Sequence, residues 1–270
     1  MMRLFRERRR RLLREQADDP RWTAILEHRL VLFRRLSTQD RRELLAHTRV
    51  LLAEKRFEGC GGLELTDEIR VVVAAQAALL QLHREATYYP SLLSILVYPE
   101  AYVVPVQYET GGGLVVEEVV DHIGESWDTG SLIVSWSDVL RGAAGRDNGC
   151  SVVIHEFAHQ IDGETGDTDG MPRIADAELR QRWTAVFEHE YERLVEMTGR
   201  RRRTFIDEYG AEHPSEFFAV ATEHFFMEPQ SFSRRHPELY RVLAAFWCQD
   251  PSAWKGATGD GAAPSSPTVK

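Results

Sequence analysis

The sequence predicts an α+β fold, helical in its N- and C-terminal parts, with a small mixed sheet packed against one helix that carries the chemistry. Three observations lead there. Apolar residues recur at helical spacing over both ends of the chain. Short β-branched and aromatic runs, bounded by Gly, Pro and Asp, cluster in its middle. The order is therefore helices, a strand block, then helices, which is the α+β pattern.

Taken in order, the first 19 residues are a basic segment (Arg3, Arg6, Arg8 to Arg11) expected to be flexible. No apolar stretch follows it, so the reading includes neither a secretory signal nor a transmembrane helix. Residues 20 to 50 carry one helical stripe (Trp22, Ile25, Leu26, Leu30, Phe33), and residues 66 to 83 carry another (Ile69, Val72, Val73, Gln76, Leu79, Leu80). Strands are expected at Ser94–Tyr98, Tyr102–Val106, Leu114–Val116 and Ser131–Trp136. Pro105 favours an edge or a bulge for the second. The last run, nearest in sequence to the helix that carries the chemistry, reads as an edge strand lining a cleft, with an internal strand as the alternative. Helical spacing returns from Ala175 to Met197 through Leu179, Trp183, Val186, Phe187, Tyr191 and Leu194, and Pro214-Ser215-Glu216 opens a further helix. The tail at 255–270, rich in Gly, Ala, Ser and Pro, is expected to be disordered. Residues 20–254 then form one domain, without a composition break that would divide it.

The chemistry lies on one helix. His155-Glu156-Phe157-Ala158-His159 sets two imidazoles four residues apart, on one helical face about 6 Å from each other. Two such side chains can grip one zinc ion, and the intervening carboxylate can take a proton from water at the metal. The flanks Val152-Val153-Ile154 and Gln160-Ile161 are mostly apolar, and Gly163 provides a stop. Two histidines on a solvated helix would instead sit among charged neighbours. The pattern points to metal-assisted hydrolysis, of a peptide bond in the first instance, with Glu156 as general base.

Catalytic zinc takes three protein ligands and keeps a fourth position open. A third histidine in the extended H-E-x-x-H-x-x-G-x-x-H form is absent, since residue 162 is Asp and residue 165 is Thr. Glu216 is the preferred third ligand, because a carboxylate opening the apolar segment Phe217-Phe218-Ala219-Val220 would be costly without a cation. Glu223, His213 and His224 are its rivals. Glu223, seven residues on, shares the face of Glu216 and is preferred as a carboxylate that orients a ligating imidazole. Asp162 could do the same or cap the helix end. Tyr209 could donate its phenol to the oxyanion of a tetrahedral intermediate, or be a packed core residue.

Several longer motifs carry a family resemblance. They are Ala53-Glu54-Lys55-Arg56-Phe57-Glu58-Gly59-Cys60, Val97-Tyr98-Pro99, Gly124-Glu125-Ser126-Trp127, His155 to Asp162 and Glu216 to Glu223. Over about Trp22 to Trp254 the chain resembles the Mlc titration factor A family, zinc-dependent peptidases also described as anti-repressors of a glucose-responsive regulator. The resemblance implies a zincin-like, gluzincin-type site holding one zinc ion, with His155, His159 and Glu216 as ligands and Glu156 as base. It also implies aminopeptidase-like activity and binding to a transcription repressor. The spacing of Tyr209 and Glu216 is similar to that in the catalytic domain of anthrax lethal factor, a related zinc-peptidase fold.

Composition sets the remaining limits. A chain of 270 residues with 43% hydrophobic content can bury a sizeable core. Its net charge of −9 speaks against general nucleic-acid affinity. The N-terminal arginines and Arg200 to Arg203 are explained as solvated termini and loops; contact with DNA, an acidic membrane surface or an acidic partner would show itself by steep salt dependence. Three cysteines without a C-x-x-C pair suit reduced thiols and argue against a thiolate zinc site. The expectation is a cytoplasmic enzyme acting on peptides, without direct nucleic-acid or membrane partners. The other class left open is a regulatory protein that sequesters a repressor, with the metal site secondary.

Overall fold

The structure, a computed structural model, describes residues 2–110, 114–122, 124–127 and 130–254, with side chains described over 4–101 and 130–254. Four helices open the chain: α1 (Met2–Arg14), α2 (Pro20–Arg29), α3 (Val31–Arg35) and α4 (Thr38–Glu54). Strand β1 (Arg56–Gly59), helix α5 (Asp67–Leu79) and strands β2 (Ser94–Tyr98), β3 (Tyr102–Thr110), β4 (Leu114–His122), β5 (Gly124–Trp127) and β6 (Ser131–Ser135) follow. The second helical part is α6 (Trp136–Ala143), α7 (Val152–Asp162), α8 (Ala177–Gly199), α9 (Pro214–Met227), α10 (Pro229–Arg235) and α11 (Pro237–Trp247). Helices, strand block, helices is the order expected of an α+β chain.

Short polar residues set the helix starts. Asp19, Ser37, Thr66, Ser151 and Asp176 each accept a backbone N–H of the first turn with their side chains, satisfying donors that have no partner within the helix. The apolar stretch expected over 20 to 50 is broken into three helices, because Leu30 and Leu36 adopt extended backbone and Ser37 starts anew. Beyond its charged first turn α5 is apolar apart from Gln76, and from Val71 to Leu79 every residue is buried, as suits a helix inside the core. α8 covers nearly the span anticipated for it.

The sheet has the order β1-β2-β6-β5, with β1, β2 and β6 parallel and β5 antiparallel to β6. The run Ser131–Trp136 is thus internal, not an edge, and Trp136 already belongs to α6. Its composition explains this: Leu132, Ile133 and Val134 are consecutive buried residues, the mark of a strand covered on both faces, whereas an edge facing a cleft alternates. The edges are β1 and β5. Among the described strands β3 and β4 pair only with each other, Pro105 opposite Val119, so each strand of that ribbon is an edge and the proline is tolerated.

α7 lies at the centre, in contact with α5, α6, α9, β5 and β6. α9 is fixed behind it by aromatic packing: Trp183 of α8 stacks on Phe187 at 3.9 Å and meets Phe218 of α9 at 5.5 Å and Phe246 of α11 at 5.0 Å. At the N-terminus, where a flexible segment was expected, residues 2–14 form α1. Buried Arg10 docks it by a two-pronged pair with the Glu54 carboxylate, at 2.9 and 2.8 Å, and lies over the Tyr88 ring. The tail at 255–270 lies outside the described residues.

Candidate functional site

Ser151 begins α7 so that His155, Glu156 and His159 emerge toward α9. Its hydroxyl accepts the Ile154 N–H and donates to Gln76 of α5, which fixes the helix start against the core. On α9, Pro214 occupies the first turn and the His213 side chain accepts the Ser215 N–H, so Glu216 leaves the first turn facing α7.

These elements bring three ligand atoms together. His155 Nε2 and His159 Nε2 are 3.1 Å apart, and Glu216 Oε2 lies 3.1 and 3.3 Å from them. Tetrahedral zinc with bonds of about 2.0–2.1 Å requires neighbouring ligand atoms about 3.3–3.4 Å apart, so the donor set and its spacing fit one such ion. Glu156 is buried next to His155 on the same helix, close enough to both imidazoles and to Glu216 to feel their charges. Another grouping, Asp40, Glu43 and His83, differs: both imidazole nitrogens of His83 already pair with the two carboxylates, at 3.0 and 3.3 Å.

The rivals for the third position are engaged elsewhere. Glu223 meets the far nitrogen of His155, Nδ1, at 2.8 Å, and its other oxygen accepts the Ser151 N–H. His213 is occupied with Ser215. His224 accepts the Asp207 N–H through Nε2 and faces Glu228 through Nδ1. Asp162 is fully buried; its Oδ2 accepts the Gly170 N–H at 2.8 Å, while its Oδ1 has no partner, as is true of His159 Nδ1. Gly170 was not singled out from the sequence, although the Asp169-Gly170 pair is a turn signal. Tyr209 sits in a short 3-10 turn, Glu208–Ala211, begun by Asp207, with its ring 6.0 Å from that of His155; it is half-exposed rather than a core residue.

The electrostatics are those of a site that attracts a cation. Burial opposes charge on His155, but its bonds to Glu216 and Glu223 outweigh this and raise its pKa well above the usual value. Burial likewise opposes ionisation of Glu216, yet the two imidazoles hold its carboxyl far below the usual range. For Glu156 burial prevails over the charges of the two imidazoles and raises its pKa. The Tyr209 phenol is pushed up to about 12, by burial first and then by Glu216.

Comparison with known proteins agrees in extent with this arrangement. The chain is 41% identical over 233 residues to an uncharacterised protein of Synechocystis, covering 86% of this chain and 85% of that one. It is 32% identical to Mlc titration factor A of Klebsiella pneumoniae, covering 80% and 82%, and 31% identical to Mlc titration factor A of Salmonella agona, covering 88% and 89%. The profile of the glucose-regulated metallo-peptidase M90 family matches residues 4–248, a family that implies a metal cofactor. The chain, with its paired imidazoles and facing carboxylate, belongs to the glucose-regulated metallo-peptidase M90 family.

Proposed function

We propose that this protein is a zinc-dependent peptidase of zincin-like, gluzincin-type construction, aminopeptidase-like and acting on short or unfolded peptides. The observation that carries the reading is the convergence of two imidazole nitrogens and one carboxylate oxygen within 3.3 Å, beside a buried glutamate on the same helix. His155, His159 and Glu216 would hold one zinc ion, which when bound supplies Lewis acidity and a water whose pKa falls toward about 7.

The chain's own residues do the rest. Glu156 takes the proton of the attacking water and returns it to the leaving amine; its raised pKa suits a carboxyl that must hold that proton between the two steps. Glu223 accepts from His155 Nδ1 and thereby turns Nε2 toward Glu216. Tyr209, protonated throughout the neutral range, donates its hydroxyl to the oxyanion. An extended peptide would add to the open edge of β5, which touches α7 and pairs only with β6 among the described strands.

The test separates binding from turnover. Glu156→Gln is expected to retain one zinc per chain and to lose hydrolysis of an amino-acid anilide by about 10²-fold or more, and a chelator should abolish activity of the parent. Hydrolysis by the variant at the parental rate, or by metal-free protein, would defeat the reading. A second reading is favoured by the name of the relatives, Mlc titration factor A: the chain binds and sequesters a transcription repressor. Under it, a His155→Ala variant without metal would still bind its partner at full strength.

A further inference from the structure

Helix α1 has two faces of different character. The inner face is committed to the body of the protein: Arg10 is buried against Glu54 and Tyr88, Leu13 packs on the core, and Arg14 donates to the Tyr88 hydroxyl at 3.1 Å. At 100° per residue, Phe5, Arg8 and Leu12 lie opposite Arg10, with Leu4 and Arg11 beside them. Leu4, Phe5 and Leu12 are 76, 64 and 54% exposed, and they make up half of the large apolar side chains exposed among the described residues. Residues 3–14 include seven arginines and one acid, Glu7, in a chain whose net charge is −9. Arg8 has no carboxylate partner among the described residues, and Arg6 forms no ion pair within 4.0 Å, although it lies near enough to Glu54 to feel its charge.

An outward face that is both apolar and strongly cationic narrows the choice of partner. A nucleic acid would engage the guanidinium groups but leave Phe5 and Leu12 in water. A bilayer surface satisfies both, with apolar side chains at the acyl boundary and arginines among the headgroup phosphates. Among the described residues no helix is long and apolar enough to cross a membrane, so a contact of this kind lies on the surface. We propose that α1 docks this protein on the surface of an anionic phospholipid bilayer, with Phe5 and Leu12 inserted and Arg8 and Arg11 on the lipid phosphates. This departs from the expectation of no membrane partner, which rested on the lack of an apolar span. It is independent of the hydrolytic reading.

The test uses the full chain with vesicles of phosphatidylcholine alone or mixed with phosphatidylglycerol, followed by co-sedimentation. Binding is expected to the mixed vesicles, to be absent with the neutral ones, and to fall steeply with added salt. A Phe5→Ser/Leu12→Ser variant, unchanged in charge, should bind at least about tenfold more weakly, as should Arg8→Gln/Arg11→Gln. Phe5→Trp, which preserves the apolar face, should show a blue-shifted emission with mixed vesicles only, so the result does not depend on the stability of the serine variant. Absent binding to mixed vesicles at low salt, or equal binding by the serine variant, overturns the proposal. So does duplex DNA binding as tightly as the mixed vesicles and with no dependence on Phe5 and Leu12, which would assign the face to nucleic acid.

Discussion

Glu216 and Glu223 leave the same helix seven residues apart, on nearly one face, and yet meet opposite nitrogens of His155. Which nitrogen each reaches separates the proposed ligand from its proposed support. Glu223 fixes the imidazole by accepting from Nδ1 and also accepts the N–H of Ser151, the residue that caps α7, so ring orientation and helix position depend on one carboxylate. Glu223→Gln, which keeps the shape and removes the charge, is expected to weaken zinc binding about 10- to 100-fold in competition with a chromogenic chelator. Unchanged affinity would remove Glu223 from the site. Tyr209→Phe should behave in the reverse manner, leaving zinc affinity untouched while lowering the hydrolytic rate by about 10²-fold, since only the donor to the oxyanion is lost. Equal rates for parent and variant would return Tyr209 to the surface. The pair of imidazoles and Glu156 are legible in the sequence because helical spacing is a local property, and Glu216 because an acid heading an apolar segment needs a cation. The division of labour between Glu216 and Glu223 is the one preferred from the sequence, but spacing alone gives both carboxylates the same face, and which nitrogen of His155 each reaches is decided by tertiary packing.

Turns rather than helices determine how α7 and α9 meet. Gly170 has φ of +80°, its N–H goes to buried Asp162 at the end of α7, its carbonyl accepts the Trp183 indole N–H of α8, and a Cβ there would lie 2.5 Å from the Pro214 carbonyl that opens α9. Gly170→Ala combines a disfavoured φ with a backbone clash, so a loss of about 2 kcal/mol or more is expected in a denaturant titration, with zinc affinity falling alongside. Stability within a few tenths of a kcal/mol of the parent would show the junction to be dispensable. A second tie holds the loop before β2: buried Lys55 donates to the carbonyls of Tyr89 and Leu92, and the Tyr89 ring rests on Phe157 of α7 at 4.6 Å. Burial pushes the Lys55 ammonium down to about 8 from its ordinary 10.5. Between those values the unfolded chain binds more protons than the folded one, so stability rises with pH through this window. The melting-temperature difference between the parent and Lys55→Met should therefore widen in the parent's favour from pH 8 to pH 10, and a constant difference would argue against a depressed ammonium. None of these ties can be read from periodicity. The internal position of β6 could have been, since its unbroken apolar run marks a strand covered on both faces, whereas nearness in sequence to α7 does not indicate nearness to its cleft.

At the scale of the whole molecule, the candidate metal centre joins segments 61 residues apart, with α8 and the Gly170 turn between them. Without a cation, three carboxylates and two imidazoles are gathered where α7 faces α9, and the excess of negative charge raises the pKa of His155. A divalent ion held by His155, His159 and Glu216 would neutralise the same excess and cross-link α7 to α9 in the folded state only. Ligand present at about 100 times its dissociation constant adds about 2.7 kcal/mol to folding stability, which in a chain of this size raises the melting temperature by about 5–10 °C. Zinc added to chelator-treated protein should produce a shift of that order, magnesium should not, because it prefers oxygen ligands and keeps its waters, and His159→Ala should abolish the zinc shift while the variant still melts cooperatively. A zinc shift of the same size in His159→Ala would mean that the ion binds elsewhere, and the absence of any shift in the parent would mean that the three atoms, although correctly spaced, do not share a metal.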